Sequence, residues 1–250
     1  MPHRCSPSPT GTLSLCCCQI KAWKAGHKGQ CTAAARADTR TAAKPTADQM
    51  RVLEILEQLD GAADWRGVAA QERAARAVAA AVRTSMPSMA AGVYFTLGRA
   101  YQNLGSFSKA LEYHKEHLTM AKEVGDRAGE GVAYANLGIA YFSQGDYAKA
   151  IKYQTQHLAI AKEVGDRARE GVAHANLARR SQGDFSKAIE YHTQHLVIAK
   201  EMGDQAGQGQ AYGNLGMAHD SQGDFSKAIE YQTQCLADRK STRLNSSHRT

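Results

Sequence analysis

Gly131-Val-Ala-Tyr-Ala-Asn-Leu-Gly138 decides the fold, because the chain writes it again as Gly171-Val-Ala-His-Ala-Asn-Leu-Ala178 and as Gly209-Gln-Ala-Tyr-Gly-Asn-Leu-Gly216. A weaker earliest copy runs from Ala91 to Gly98. A second stretch travels with it: Ser143-Gln-Gly-Asp-Tyr-Ala-Lys-Ala-Ile151 recurs at Ser181 to Ile189 and Ser221 to Ile229, and as Asn103 to Leu111. Four copies at a period near 40 residues are the signature of a solenoid, in which each unit buries its apolar face only against its neighbours.

Each unit reads as two helices. In the first, Tyr134, Leu137, Gly138 and Tyr141 fall at i, i+3, i+4 and i+7, which places them on one buried stripe. Gly145-Asp146 then ends one helix and starts the next, since glycine accepts a left-handed cap and aspartate caps the following amides. The second helix is expected from about Tyr147 to Val164, with Ala150, Ile151, Leu158 and Ala161 inward, and Gly165-Asp166 closes the unit. Small residues at Gly138 and Ala150 let the two antiparallel helices approach.

The third copy is shorter. Where the second reads Leu137-Gly-Ile-Ala-Tyr-Phe142, the third has only Leu177-Ala-Arg-Arg180, two residues fewer. Losing two residues rotates the downstream segment by about 200° at 3.6 residues per turn. The deletion predicts a shortened or irregular helix end near Ala178 to Ser181.

Residues 46–84 predict a helical pair of another kind. Thr46-Ala-Asp-Gln resembles a capping box, Leu53, Leu56 and Leu59 line one helix, and Asp64 stands ready to cap a second with Val68, Ala75, Val78 and Val82 inward. This pair is expected to cover the exposed face of the first repeat.

An aromatic, then Leu-Gly, then an aromatic, followed after the turn by alanine, resembles the tetratricopeptide repeat. The long period, the Asn-Leu-Gly core and the His157-Leu-Ala-Ile-Ala-Lys-Glu-Val-Gly-Asp166 segment are most similar to the LGN-type spindle-orientation adaptors, over about residues 90–237. The resemblance implies an all-α, right-handed superhelical solenoid of antiparallel helix pairs, with four repeats over residues 88–237. It also implies that Asn136, Asn176 and Asn214, with Thr96 in the first copy, line a concave groove and bond the backbone of a partner peptide. An amide suits that task because it both donates and accepts. The other reading of these asparagines is bonding between neighbouring helices. Chaperone-binding members add basic residues to clamp a carboxylate terminus, but here the neighbours are Val132, Ala135, Ile139, Val172 and Ala175. Val132, Ile139, Phe142 and Met217 instead suit a mixed apolar and polar segment, extended or helical.

Charge separates by segment. Residues 1–45 carry seven Lys/Arg against one acid, residues 46–237 carry 20 against 22, and residues 238–250 carry four against one. The repeat body therefore lacks the basic footprint of a nucleic-acid binder. No apolar run is long enough to span a bilayer, so neither membrane nor nucleic acid is an expected partner. No HExxH, GxSxG, Walker or Rossmann motif is present, and no catalytic residue is assigned. His114, His117, His192 and His195 lie three apart on helices, but the registers His117, His157, His195, Cys235 and His114, Gln154, His192, Gln232 repeat with the units, which fits packing between repeats better than metal binding.

Five of six cysteines, Cys5, Cys16, Cys17, Cys18 and Cys31, lie in the first 31 residues, which does not fit a disulfide framework and points to a reducing compartment, cytoplasmic or nuclear. A transit peptide in this Arg-, Ser- and Ala-rich start stays open. Cys18-Gln-Ile-Lys-Ala-Trp23 with His27-Lys28 and Cys31 resembles the closing half of a MYND zinc finger. That resemblance implies Cys18, His27 and Cys31 as metal ligands, with Cys16 or Cys17 as the candidate fourth, and zinc as the one cofactor. Ser14 stands where a further cysteine is expected and the upstream CxxC pairs are missing, so neither four-ligand site is complete. Residues 1–45 are otherwise expected to be a leader of low order. SET-MYND methyltransferases also join this finger to helical repeats, but no SET segment lies between them here.

Asp238-Arg-Lys-Ser-Thr-Arg-Leu-Asn-Ser-Ser-His248 departs from the repeat and matches, codon for codon, a translated sequencing-adapter string. Residues 238–250 are accordingly expected to be non-native, with the last apolar face open after Cys235 and Leu236. Three functions fit the chain: a protein-interaction scaffold holding a partner peptide in the groove; a zinc-binding MYND-type adaptor or transcriptional cofactor; and the scaffold fragment of a larger enzyme. The first is favoured, because the repeat covers most of the chain.

Overall fold

The computed structural model describes residues 46–60, 65–181 and 183–247. Among them the chain forms ten helices: α1 Ala47–Asp60, α2 Trp65–Val82, α3 Pro87–Asn103, α4 Phe107–Glu123, α5 Arg127–Ser143, α6 Tyr147–Glu163, α7 Arg167–Arg180, α8 Phe185–Glu201, α9 Gln205–Gln222 and α10 Phe225–Ser247. From α3 onward each odd-numbered helix pairs with its successor, and each pair stacks on the next, an all-α solenoid with no strand among the described residues.

The turns carry the chemistry that punctuates the units. Asp126, Asp146, Asp166, Asp184 and Asp204 each cap a helix by accepting the amide of the residue three positions on. Before them sits a glycine in the left-handed region, for example Gly145 at φ 83°, where a side chain would strain the backbone. Asp64, expected to cap α2, lies outside the described residues.

Within a unit the helices approach because one side is bare. A Cβ on Gly138 would fall 2.6 Å from Gln154 Nε2, and Ala150 on the facing helix is fully buried. Gln154 fills the space and donates to the Ala135 carbonyl at 3.0 Å. Tyrosines then stack across the pair, Tyr101 on Tyr113 at 5.8 Å and Tyr141 on Tyr153 at 5.3 Å, with His219 on Tyr231 at 5.4 Å in the fourth repeat.

The leading pair packs on the first repeat. Val52, Ile55 and Leu59 of α1 and Val68, Ala75, Val78 and Val82 of α2 share one core with Leu97 and Tyr101 of α3 and Tyr113 and Met120 of α4. Burying such side chains contributes roughly 1.5–3 kcal/mol each.

The third unit shows the expected truncation. α7 has 14 residues against 17 in α5, and Ser181 closes it by donating its amide to the Leu177 and Ala178 carbonyls. The turn absorbs the deletion locally, since Asp184 still caps α8 through the Lys187 amide. What is lost is the last turn with its aromatic: among the described residues the one ring paired with Tyr191 is that of His174, at 5.9 Å. At the other end, α10 stays helical to Ser247, with no glycine or proline to interrupt it, while Ile229 and Leu236 are 65% and 58% exposed.

Candidate functional site

Each first helix packs on the second helix of the repeat before it; α3 also meets α5, and Arg180 of α7 reaches back to the Gly138 carbonyl of α5 at 3.5 Å. Each presents one stripe away from its own second helix. In α5 this is Val132, Asn136 and Ile139; in α7, Val172, Asn176 and Arg179; in α9, Gln210, Asn214 and Met217; in α3, Gly92, Thr96 and Arg99. Spacings of four and three residues keep each set on one face.

Asn136, Asn176 and Asn214 are half-buried, and among the described residues their carboxamides make no hydrogen bond. Bonding to neighbouring helices, the other reading of these residues, therefore has no contact to support it. Thr96 differs, because its hydroxyl donates to the Gly92 carbonyl at 3.0 Å. Val132 and Ile139 are half-buried, while Val172 and Met217 are 53% and 59% exposed. Phe142 is half-buried, its ring 4.8 Å beneath the Arg180 guanidinium and edge-on to Tyr147 at 5.5 Å.

Three arginines stand on or beside these stripes, and their place in the sequence does not single them out. Arg99 and Arg179 are exposed at the register of Ile139 and Met217, so the stripe alternates cation and apolar group from repeat to repeat. One position further on, Arg180 stands where α5 has the buried Ala140, and is only 4% exposed. It donates to the Asn176 carbonyl at 2.8 Å, but its Nε has no partner among the described residues. Burial, with the neighbouring Arg179 charge, pushes it down to about 10. The adjacent arginines mark the deletion in the sequence, but not that the second of them is buried.

The histidine ladder packs against its own repeat and is also reached by charges that open the next one, Asp126 at His117, Arg169 at His157 and Asp204 at His195. His114 faces Gly98, His117 lies 5.5 Å from the Phe95 ring, and His157 sits against Gly131 and 3.3 Å from Gln154 Oε1. The reason is geometric, since these positions face the paired helix where its glycines leave room. Burial drives His114, His157 and His192 down to about 4, so they are neutral near pH 7. Among the described residues no group of three or more His, Cys, Asp or Glu is placed to hold a metal. Cys16, Cys17, Cys18, His27 and Cys31 lie outside the described residues. No described helix is long and apolar enough to cross a membrane.

The tetratricopeptide repeat profile matches residues 89–163 and 171–241. Human G-protein-signaling modulator 1 is 40% identical over 78 residues, which is 31% of this chain and 11% of that protein, so the match spans about a tenth of the relative's length. Among solved structures, aspartyl phosphate phosphatase F from Bacillus subtilis superposes with a TM-score of 0.64 at 15% identity, over 78% of this chain and 51% of its own. The nearly identical kinesin light chain repeats of Podosopora anserina give 0.61 at 18%, over 80% and 99%, and BtubC (BKLC) from P. vanneervenii gives 0.60 at 19%, over 80% and 93%. At these identities the likeness speaks for the fold alone.

Proposed function

The chain belongs to the tetratricopeptide repeat family, and from that premise we propose that it is a non-catalytic scaffold whose repeat groove holds a segment of a partner protein. The observation that carries this reading is the row of carboxamides at Asn136, Asn176 and Asn214. An amide left half-exposed and unbonded in one repeat is ordinary; the same amide left free at the same register in three successive repeats forms a ladder of donors and acceptors. The backbone of a peptide laid across the helices offers the matching groups. Val132, Ile139 and Met217, with the edge of Phe142, supply apolar surface between them, where a peptide's side chains gain affinity by leaving water.

The test is quantitative capture of partner by the full chain, wild type against Asn136→Ala with Asn214→Ala. Both side chains are partly exposed and make no hydrogen bond among the described residues, so the fold is expected to survive, checked by circular dichroism. Capture is expected to fall at least tenfold, about 1.4 kcal/mol, a typical value for two lost hydrogen bonds. Unchanged capture would remove the asparagines from the site.

A further inference from the structure

The third repeat's deletion leaves a feature that scaffolding alone does not require. A guanidinium taken out of water without a carboxylate is costly, and chains normally pair or replace it. Arg180 is such a group. Its neighbours are the Asn176 carbonyl, the Gly138 carbonyl at 3.5 Å and the Phe142 ring, its Nε is buried and unbonded, and no ion pair reaches it among the described residues. One residue before it, Arg179 is exposed on the groove stripe, one helical turn beyond the unbonded carboxamide of Asn176.

The surroundings make this positive charge stand out. The body of the chain has slightly more acids than bases, yet the stripes of the first three repeats, from Gly92 to Arg99, Val132 to Ile139 and Val172 to Arg179, carry no carboxylate. Asp220 lies beyond Met217 in the fourth repeat. The aspartates that open the following second helices pair with their own lysines, Asp184 with Lys187 and Asp146 with Lys149. The missing turn leaves a notch in the repeat at the end of α7, where Arg179 is exposed, Arg180 is buried and the Asn176 carboxamide is unbonded among the described residues.

We infer that this notch receives one carboxylate side chain, an Asp or Glu of the segment held in the groove, seated on Arg179 and Asn176 with Arg180 behind. The inference rests on the groove reading and adds the chemistry of the partner: an acidic residue flanked by apolar ones that meet Ile139 on one side and Met217 on the other. A carboxylate fits better than a phosphoryl group, because only one guanidinium is exposed at the notch and no lysine shares its stripe. Charge at such a point sets which partner is accepted more than how tightly partners bind in general.

The experiment uses the full chain as bait for a displayed library of random twelve-residue peptides, followed by anisotropy titrations of the selected peptides. Wild type is expected to select peptides with Asp or Glu at a fixed position. Changing that acid to its amide should weaken binding about tenfold on wild type and hardly at all on Arg179→Gln, a surface variant that leaves the fold intact. Selected peptides without a fixed acid, or an equal loss on both proteins, would overturn the inference. The groove reading fails separately if Asn136→Ala with Asn214→Ala binds the selected peptides as wild type does. If no peptide is selected, both fall.

Discussion

The hydroxyl of Tyr101 in α3 donates to the carboxylate of Glu72 in α2 at 2.6 Å. Tyr113 of α4 donates to the same carboxylate and Lys109 reaches it at 2.8 Å, so a single acid ties the leading helix pair to both helices of the first repeat.

Burial opposes the charge on Glu72, but hydrogen bonds from Lys109, Tyr101 and Tyr113 outweigh it and hold the carboxyl at about 2. A carboxylate depressed in the folded state stabilises above its unfolded value, near 4.5, and that contribution is lost as the pH falls toward 2. Glu72→Gln is expected to cost about 1–2 kcal/mol at pH 7. In thermal melts the gap between wild type and variant should close between pH 4.5 and 2. A constant gap would show that the carboxylate's charge is not what binds the pair.

The buried histidines act over a higher window. His114, His157 and His192 are held near 4, first by burial and then by the charges of His117, Arg169, and His195 with Arg179 respectively. As pH falls below about 6.5 the unfolded chain takes up these protons and the folded chain does not, so stability is full above that value and drains away toward pH 4. Gln154 and Gln232 occupy the register of His192 in neighbouring repeats, which makes His192→Gln a mild change. The variant's unfolding free energy should fall less steeply with acid, by about one proton or ~1.4 kcal/mol per pH unit. An unchanged slope would mean that His192 is already protonated in the fold.

Restoring the third repeat tests the deletion directly. Exchanging Ala178-Arg-Arg180 for the Gly-Ile-Ala-Tyr-Phe of the second copy should lengthen α7 from 14 toward 17 residues and place a tyrosine on Tyr191. The gain is expected at about 1–3 kcal/mol, from one buried aromatic and the removal of a buried, unpaired cation. Urea unfolding would measure it. A lowered midpoint would show that the shortened turn is better packed than its neighbours.

Much of the fold is legible in the sequence. Tyr134, Leu137 and Tyr141 announce a helix face by their spacing, Gly145-Asp146 announces a turn by its backbone chemistry, and four residues in place of six announce where α7 stops short. The asparagine row is legible as a register, though not that its amides make no hydrogen bond among the described residues. Arg180 is not, because its meaning depends on what surrounds it: an arginine beside another arginine reads as a solvated surface pair until the missing turn is seen to leave it buried.

The sequence by itself determined the helices, their ends and their order, since 3.6-residue periodicity and cap chemistry act within a few residues. Tertiary structure decided the rest. Tyr101 meets Glu72 from 29 residues away, Tyr113 from 41, and Arg180 meets Gly138 from 42. Such partners are chosen by how units stack, and stacking depends on which side chains leave room, as Gly138 does for Gln154. Local rules set the parts; the space between the parts decided which polar groups were satisfied and which were not.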